Sequence, residues 1–396
     1  MTERCCVSED GWEGKWSALL LAIPFFLVTL VNHWVVPWFL AGAILVCYCI
    51  FFGIQVRRSY IVQGGLLIGL VFVFAFKFVV FDLLKVSQES IAGFRSNLVV
   101  YCFLVVLYVL LRSVFDFFSM FVIFRALRCV FWVHVFIFLI QFFLYWIGAG
   151  FIDFVQPFTG ESSRYVGFDQ SLGVFGAFRA TGFFSEPSNY SGVIFILLAI
   201  IKIEDNFKLD SALAFGVGTI FMSFSTAGVI IAGVFLVVVL LRENQFSVSR
   251  VMLLGACALA AVYNYEVLIE LFLSQERKYE VTSGSRTGLL DFAMARDGLA
   301  FLMGYGPFGV EGELLYGAID TAGKRVVASL NDSGMLVFLL INFGLLGMVF
   351  YGFLLYKNTV GLISLFVFVL ATLTKISLFY PLWLIYFVLM ARMKRG

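Results

Sequence analysis

The chain alternates between long apolar segments and short polar or charged segments. An α-helix needs about 20 consecutive apolar residues to cross a bilayer, and a somewhat shorter stretch can suffice. The pattern predicts twelve membrane-spanning helices, at 16–36, 38–54, 61–81, 98–111, 129–148, 190–201, 211–225, 228–241, 251–272, 333–356, 359–371 and 378–390. We therefore expect an all-α polytopic integral membrane protein that forms a single membrane domain over residues 1–396.

Basic residues next to the predicted spans indicate the orientation, because cytoplasmic loops carry an excess of Lys and Arg. With the N-terminus in the cytoplasm, fifteen of the 27 Lys and Arg residues lie on the inner side, including Arg57, Arg58 and the tail from Arg392 to Arg395. Both termini are therefore expected in the cytoplasm. We expect the segment 112–128 to lie at the membrane interface as an amphipathic stretch.

This orientation leaves two hydrophilic loops on the outer side, at 149–189 and 274–332, which together hold twenty of the 52 charged residues. Long loops are usually functional or disordered. Because these two contain aromatic residues and apolar runs, we expect them to be ordered and to fold back over the membrane. The outer face is therefore where we expect the chemistry.

Composition supports insertion into a membrane. Apolar residues make up 62% of the chain and charged residues 13%, and the mean hydropathy is +1.01, which leaves too little polar surface for a water-soluble globule. A net charge of +2 gives no reason to expect a nucleic-acid partner. The 49 phenylalanines are expected mainly to face lipid and the membrane interface.

The outer loops contain no cysteine, and both histidines, His33 and His134, lie in early spans. A disulfide or a Cys or His metal site is therefore not expected there. Polar residues within spans are rare, and we expect them to pair between helices or to snorkel. They are Lys77, His134, Asn264 and Glu266.

The strongest local pattern is the sequence R-A-T-G-F-F-S-E-P-S-N at 179–189. Ser185 is expected to cap the following helix, with Pro187 in its first turn. A helix N-terminus beside Arg179 favours an anion, phosphate in particular. The structural alternative is a capped helix in which Glu186 complements the helix dipole and Arg179 contacts lipid headgroups.

Two more helix starts are predicted on the same face. Ser223 and Ser225 form a turn in which Ser225 or Thr226 can cap the next helix. Arg286 precedes a predicted outer-face helix at 289–302, which ends before Gly304 and Gly306. Three helix starts with two arginines suit a diphosphate at the bilayer surface, and the carboxylates of Glu186 and Asp332 are candidate bases.

In this order, the motifs resemble those of the Wzy-type O-antigen polymerases, which share a superfamily with the O-antigen ligases. The resemblance extends over residues 95–390. The matching motifs are Arg179-x-x-Gly182-x-x-x-Glu186-Pro187-Ser188, Ser223-x-Ser225-x-x-Gly228, Arg286 with its helix, Gly304-x-Gly306 and Asn331-Asp332. A ligase typically carries a histidine where this chain has Asn331-Asp332, which favours a polymerase.

The resemblance implies a metal-independent, cofactor-free C-type glycosyltransferase at the periplasmic face of the Gram-negative inner membrane. Its donor and acceptor would be undecaprenyl-diphosphate-linked oligosaccharides, and a chain-length regulator protein is a further expected partner. Arg179 and Arg286 would hold the diphosphate, and Glu186 or Asp332 would activate the acceptor hydroxyl. Substrate contacts are expected from Ser185, Ser188, Ser223, Ser225, Gly304, Gly306, Asn331 and Arg277. The alternatives are an O-antigen ligase and a lipid-linked oligosaccharide flippase or other transporter.

Overall fold

The computed structural model describes residues 12–30, 35–82, 88–160, 162–163, 178–242, 289, 292–295, 298–304, 306–308, 334–359, 361–376 and 380–394. Over these residues the regular structure is helical. The helices are α1 (Trp12–Thr29), α2 (Val36–Phe51), α3 (Arg58–Lys77), α4 (Gln88–Phe117), α5 (Met120–Trp146), α6 (Gln156–Thr159), α7 (Pro187–Glu204), α8 (Ser211–Met222), α9 (Thr226–Arg242), α10 (Gly298–Met303), α11 (Met335–Asn358), α12 (Leu362–Thr372) and α13 (Leu382–Met393).

Five described segments are long and apolar enough to cross a membrane: Arg58–Val80, Phe94–Phe117, Met120–Trp146, Pro187–Glu204 and Met335–Lys357. Six shorter apolar helices accompany them. The described residues thereby confirm the expected α-helical architecture with helices long enough to span a membrane. The predicted span 251–272 lies outside the described residues, and each of the other eleven overlaps a described helix.

The segment 112–128, which was predicted to be an amphipathic stretch at the membrane interface, is divided between two helices. Helix α4 continues to Phe117, and α5 begins at Met120 after a break at Phe118 and Ser119. Ser119 caps α5, since its Oγ accepts a hydrogen bond from the Val122 N–H at 3.4 Å. The segment is therefore the end of one long helix and the start of another, because a single serine cap separates two apolar helices.

Helix α7 lies at the centre of the bundle and packs against α5, α8, α9 and α12. Its membrane-length window is 89% buried, whereas that of Arg58–Val80 is 17% buried. Small residues permit this packing. A Cβ on Gly192 would lie 2.8 Å from Ile376 Cγ1, and one on Gly228 would lie 2.6 Å from Ser191 Cβ. Residues at the start of α7 are consequently surrounded by other helices.

One end of the bundle contains the ends of α4, α7, α11 and α13 and the start of α5. We call it the basic end. Three contacts define it: Arg392 Nη1 donates to Phe118 O at 2.8 Å, Lys394 Nζ to Lys357 O at 2.6 Å, and Arg128 Nη2 to Glu204 Oε2 at 2.7 Å. The start of α7 lies at the opposite end, called the Arg179 end, because α7 runs from one to the other.

A buried lysine lies at the basic end, between α7 and α8. The Lys202 side chain is fully buried, and its ammonium group donates to Asp205 Oδ2 at 2.9 Å, Lys208 O at 2.9 Å and Asp210 Oδ1 at 2.5 Å. Asp210 also caps α8 by accepting from the Leu213 N–H. All three ammonium hydrogens have acceptors, so this cluster has a structural role and connects the end of α7 to the start of α8.

His134 pairs between helices, as predicted. Thr29 Oγ1 donates its one hydrogen to Phe26 O at 2.6 Å, so the contact of 2.7 Å between Thr29 Oγ1 and His134 Nε2 has the imidazole N–H as donor. The other predicted polar residues are Lys77, which ends α3, and Asn264 and Glu266, which lie outside the described residues.

Phenylalanine occurs both inside and outside the bundle. Phe25 and Phe115 are fully buried and meet edge to face at 5.5 Å, whereas Phe76 and Phe353 are exposed. The expectation that phenylalanine mainly faces lipid therefore describes only part of its distribution, since aromatic pairs also fill the core.

Candidate functional site

Of the predicted site residues, the structure describes Arg179, Ser185, Glu186, Ser188, Ser223, Ser225, Gly304 and Gly306. The first six of these lie near the start of α7 or in the α8–α9 turn beside it, at the Arg179 end. Arg277, Arg286, Asn331 and Asp332 lie outside the described residues.

The segment before α7 is fixed to α5 by a buried glutamine. Gln141 Oε1 accepts from the backbone N–H groups of Thr181, at 2.7 Å, and Gly182, at 2.8 Å, and Gln141 Nε2 donates to Ile152 O at 2.9 Å. Gly182 has φ of +60°, a left-handed conformation that glycine adopts without strain. Gln141 thus connects the beginning and the end of the segment 149–189 to the same position of α5.

Aromatic contacts hold the same segment on the same face of α5. Phe178 stacks on Tyr145 with ring centroids 3.7 Å apart, and Phe184 stacks on His134 at 5.3 Å. His134, Gln141 and Tyr145 are spaced by seven and four positions, so they share one face of α5. Sequence analysis overlooked Gln141, although a glutamine seven residues after an intramembrane histidine was a readable signal.

The helix start differs by one residue from the prediction. Glu186, not Ser185, occupies the N-cap of α7, with extended φ and ψ of −136° and 144°. Its carbonyl accepts from the N–H groups of Asn189 and Tyr190, while its carboxylate makes no capping bond. Because the Glu186 carboxylate does not cap the helix, it can interact with other side chains.

The carboxylate of Glu186 forms an ion pair with Lys375, which follows α12. Lys375 Nζ contacts Glu186 Oε2, and the same oxygen accepts from Ser188 Oγ at 3.1 Å. Only 9% of the Lys375 side chain and 15% of the Glu186 side chain are exposed. Water therefore screens this pair far less than a surface ion pair.

Sequence analysis did not select Lys375. A signal was present, since Lys375 falls in the short connection between the last two predicted spans and is the one charged residue of the sequence between Lys357 and Arg392. A lysine in that position needs an anionic partner.

Arg179 is the second cation at this end. Burial lowers the pKa of the Arg179 guanidinium, and the charge of Glu186 raises it. A guanidinium nevertheless stays protonated in a protein. Glu186 therefore interacts electrostatically with two cations that are distant from each other in sequence.

Beside the ion pair lies a narrow crevice with room for about one water molecule. Its lining includes Ser188, Ser191, Ser225, Gly228, Thr374 and Lys375. Lys375 is the one charged group among the lining residues that the structure describes. The crevice therefore presents hydroxyls and an ammonium group.

The turn between α8 and α9 contributes one wall of this crevice. Ser223 Oγ donates to Ile220 O at 2.7 Å and accepts from the Ser225 N–H at 3.3 Å. Of the two candidate caps, Ser225 takes the position, because its Oγ accepts from the Gly228 N–H at 3.4 Å. Both serines are buried and lie in the predicted turn.

Gly304 and Gly306 pack against protein backbone. A Cβ on Gly304 would lie 2.4 Å from Asn342 O, and the Gly306 N–H donates to the same oxygen at 2.7 Å. Helix α11 is broken there at Gly344, whose φ is +64°. The Gly306 N–H therefore satisfies a carbonyl that the break releases, and the absence of a side chain at Gly304 permits the close approach of the two backbones.

The predicted helix at 289–302 is described in pieces. Leu289 and residues 292–294 are helical, a turn follows at Ala295, and α10 covers Gly298–Met303. Leu289 and Ala293 pack against Phe338 of α11. This part of the segment 274–332 therefore packs against α11.

The described part of the Arg179 end has the chemistry of an anion site, because cations and hydroxyl donors converge there. No group of three or more His, Cys, Asp or Glu side chains within the described ranges could hold a metal ion. Comparison with known proteins gives no match, since no family model, curated protein or solved structure is detectably similar to this chain.

Proposed function

We propose that the protein polymerises undecaprenyl-diphosphate-linked oligosaccharide repeat units into O-antigen or a related surface polysaccharide. In this proposal twelve helices span the inner membrane of a Gram-negative bacterium, and both termini are cytoplasmic. The loops at 149–189 and 274–332 face the periplasm. The growing chain on its lipid carrier is the donor, and a new lipid-linked unit is the acceptor.

The observation that carries this proposal is the convergence of Arg179, Glu186 and Lys375 at the start of the central helix α7. A diphosphate at a membrane surface needs cations that are held in place, and Gln141 fixes the segment that carries Arg179. The Arg179 end is opposite the basic end, so the positive-inside rule favours a periplasmic location for it.

The proposed reaction is an inverting displacement at the anomeric carbon of the donor sugar. The acceptor hydroxyl oxygen forms a bond to that carbon while the bond from the carbon to the diphosphate oxygen breaks. Undecaprenyl diphosphate leaves with the electron pair, and Arg179 offsets its developing charge, with Arg286 in the same role. Glu186 or Asp332 accepts the hydroxyl proton.

A second candidate function is transport of a lipid-linked oligosaccharide. Broken helices are typical of transporters, and α11 is broken at Gly344. Here, however, the residues at the break that the structure describes are apolar or amide side chains and glycine backbone. Polymerisation is favoured because the charges lie at the end of the bundle.

The test is an electrophoretic gel of surface polysaccharide from a strain that lacks the gene. A single repeat unit on the lipid core supports the polymerase. Complete absence of capped core supports a ligase or a flippase, and an unchanged ladder contradicts all three functions.

Complementation with point variants then tests the assigned roles. Arg286→Ala should abolish long chains while the protein still inserts, and an unchanged chain-length distribution would exclude its role. Glu186→Gln and Asp332→Asn, compared at equal protein levels, identify the base as the carboxylate whose amide abolishes polymerisation.

A further inference from the structure

Lys375 connects two features of the Arg179 end. Its ammonium group contacts Glu186 Oε2, and it also lines the crevice between α7, α9 and the residues after α12. The side chain is about nine-tenths buried. Burying an ammonium group is costly unless anionic or hydrogen-bonding partners surround it. The position therefore requires an anion, which Glu186 supplies in this structure.

The crevice itself is suited to an anionic ligand. Ser225 Oγ accepts from the Gly228 N–H and keeps its own hydrogen for donation. Ser188 Oγ donates to the Glu186 carboxylate and can donate to another anion in its place. No carboxylate appears among the lining residues that the structure describes. Hydroxyl and ammonium donors that converge in this way favour the oxygen atoms of a phosphoryl group.

We propose that Lys375, Ser188 and Ser225 form a phosphoryl-binding subsite, in which Glu186 serves as the counter-ion of Lys375 when no ligand is bound. The subsite deepens the proposed function, on which it rests for its ligand, the diphosphate of a lipid carrier. In this structure the crevice has room for about one water molecule, which is too little for a phosphoryl group. A phosphoryl group therefore enters as the Glu186 carboxylate moves away from Lys375.

This exchange gives Glu186 two states. Without ligand, Lys375 and Ser188 stabilise its negative charge. When a phosphoryl group takes over these donors, the carboxylate is released from both. Where Glu186 is the base, it is then available to accept a proton from the acceptor hydroxyl.

The test uses the purified full-length protein in detergent micelles, with inorganic pyrophosphate and farnesyl diphosphate as probes and the thermal unfolding midpoint as readout. Both probes should raise the midpoint of the wild type, because a ligand that binds only the folded state stabilises it. Lys375→Met should weaken binding by at least about tenfold. Lys357→Met, at an exposed lysine of the basic end, should bind like the wild type.

Glu186→Gln provides the sharpest comparison. Removing a competing carboxylate should tighten binding of pyrophosphate by about tenfold. A purely structural ion pair predicts no tightening. Unchanged or weaker binding by Glu186→Gln, or wild-type binding by Lys375→Met, would overturn the proposal.

Folding failure is controlled with two more variants. Lys375→Met alone removes one charge of a mostly buried ion pair, which can destabilise the fold. The double variant Glu186→Gln/Lys375→Met removes both charges and should recover the unfolding midpoint without recovering binding. Lys375→Arg keeps the charge and should retain binding. Recovery of binding in the double variant would contradict the subsite.

The two probes distinguish the source of the phosphoryl group. A larger shift with farnesyl diphosphate assigns the subsite to lipid-linked diphosphates, and equal shifts assign it to phosphoryl groups in general. No shift with either probe overturns the subsite. If pyrophosphate binds through Lys375 while the deletion strain keeps its polysaccharide ladder, the proposed function is wrong and the subsite remains.

Discussion

The ammonium group of Lys375 contacts the carboxylate of Glu186 across 189 positions of sequence. The pair joins the N-cap residue of the central helix α7 to the connection between α12 and α13, at the end opposite the basic end. Both side chains are largely buried, so water screens this ion pair less than one at the surface. The variants described above test what this pair does.

Arg179→Lys should reduce the length of the surface polysaccharide sharply. A lysine keeps the positive charge but cannot reproduce the two parallel hydrogen bonds of a guanidinium to a phosphate. The measurement is the polysaccharide ladder in a complemented deletion strain. Arg58→Lys, at an exposed arginine at the start of α3, is the matched control and should leave the ladder unchanged. A wild-type ladder with Arg179→Lys would indicate that Arg179 is only a headgroup anchor.

Gln141→Leu should lower the free energy of unfolding by at least about 2 kcal/mol, because two N–H donors and one carbonyl lose their buried partner. Denaturation in detergent measures this loss, and the polysaccharide ladder should shorten in parallel because Arg179 is no longer fixed. Gln63→Leu, at an exposed glutamine of α3, serves as control. Equal stability of the two variants would show that Gln141 does not hold the segment.

Gly228→Ala should destabilise the protein by about 1–3 kcal/mol, since its new methyl group would lie 2.6 Å from Ser191 Cβ. Gly218→Ala in α8 is a matched control, because a Cβ there has no neighbour within 4 Å. That change should be neutral or stabilise the helix. The double variant Gly228→Ala/Ser191→Gly should recover much of the loss, as measured by the unfolding midpoint. Without such recovery, the close contact is not the cause.

Asp153 should make stability depend on pH in acid. Burial raises the pKa of its carboxyl, but hydrogen bonds from Gln156, Ser163 and Val155 outweigh that effect and lower the pKa below its usual range. The charged form therefore stabilises the fold above the unfolded-state pKa of about 3.9, and this contribution is lost as the pH falls through the lowered folded-state value.

The unfolding midpoint from pH 6 down to about pH 2 measures the Asp153 effect. The wild type should lose stability on acidification more steeply than Asp153→Asn, which should already be less stable at pH 6. Parallel pH profiles for the two proteins would show that the carboxylate contributes nothing.

Much of the helix pattern could be predicted from sequence, because the period of apolar residues and the length needed to cross a bilayer are local properties. Helix boundaries that depend on one residue were not predicted. Ser119 separates α4 from α5 within the segment 112–128, and the N-cap of α7 is Glu186 instead of Ser185. The surrounding composition carries little information about such positions.

By itself, the sequence determined that the chain is helical and apolar enough for a membrane, and it located Arg179, Glu186 and Ser225 in segments that end at one face. Only the tertiary structure decided which groups meet. Lys375 reaches Glu186, and Gln141 fixes the segment before α7, through contacts between helices distant in sequence. Local periodicity orients a residue on its own helix, whereas its partner depends on how the helices pack, and that is a property of the whole chain.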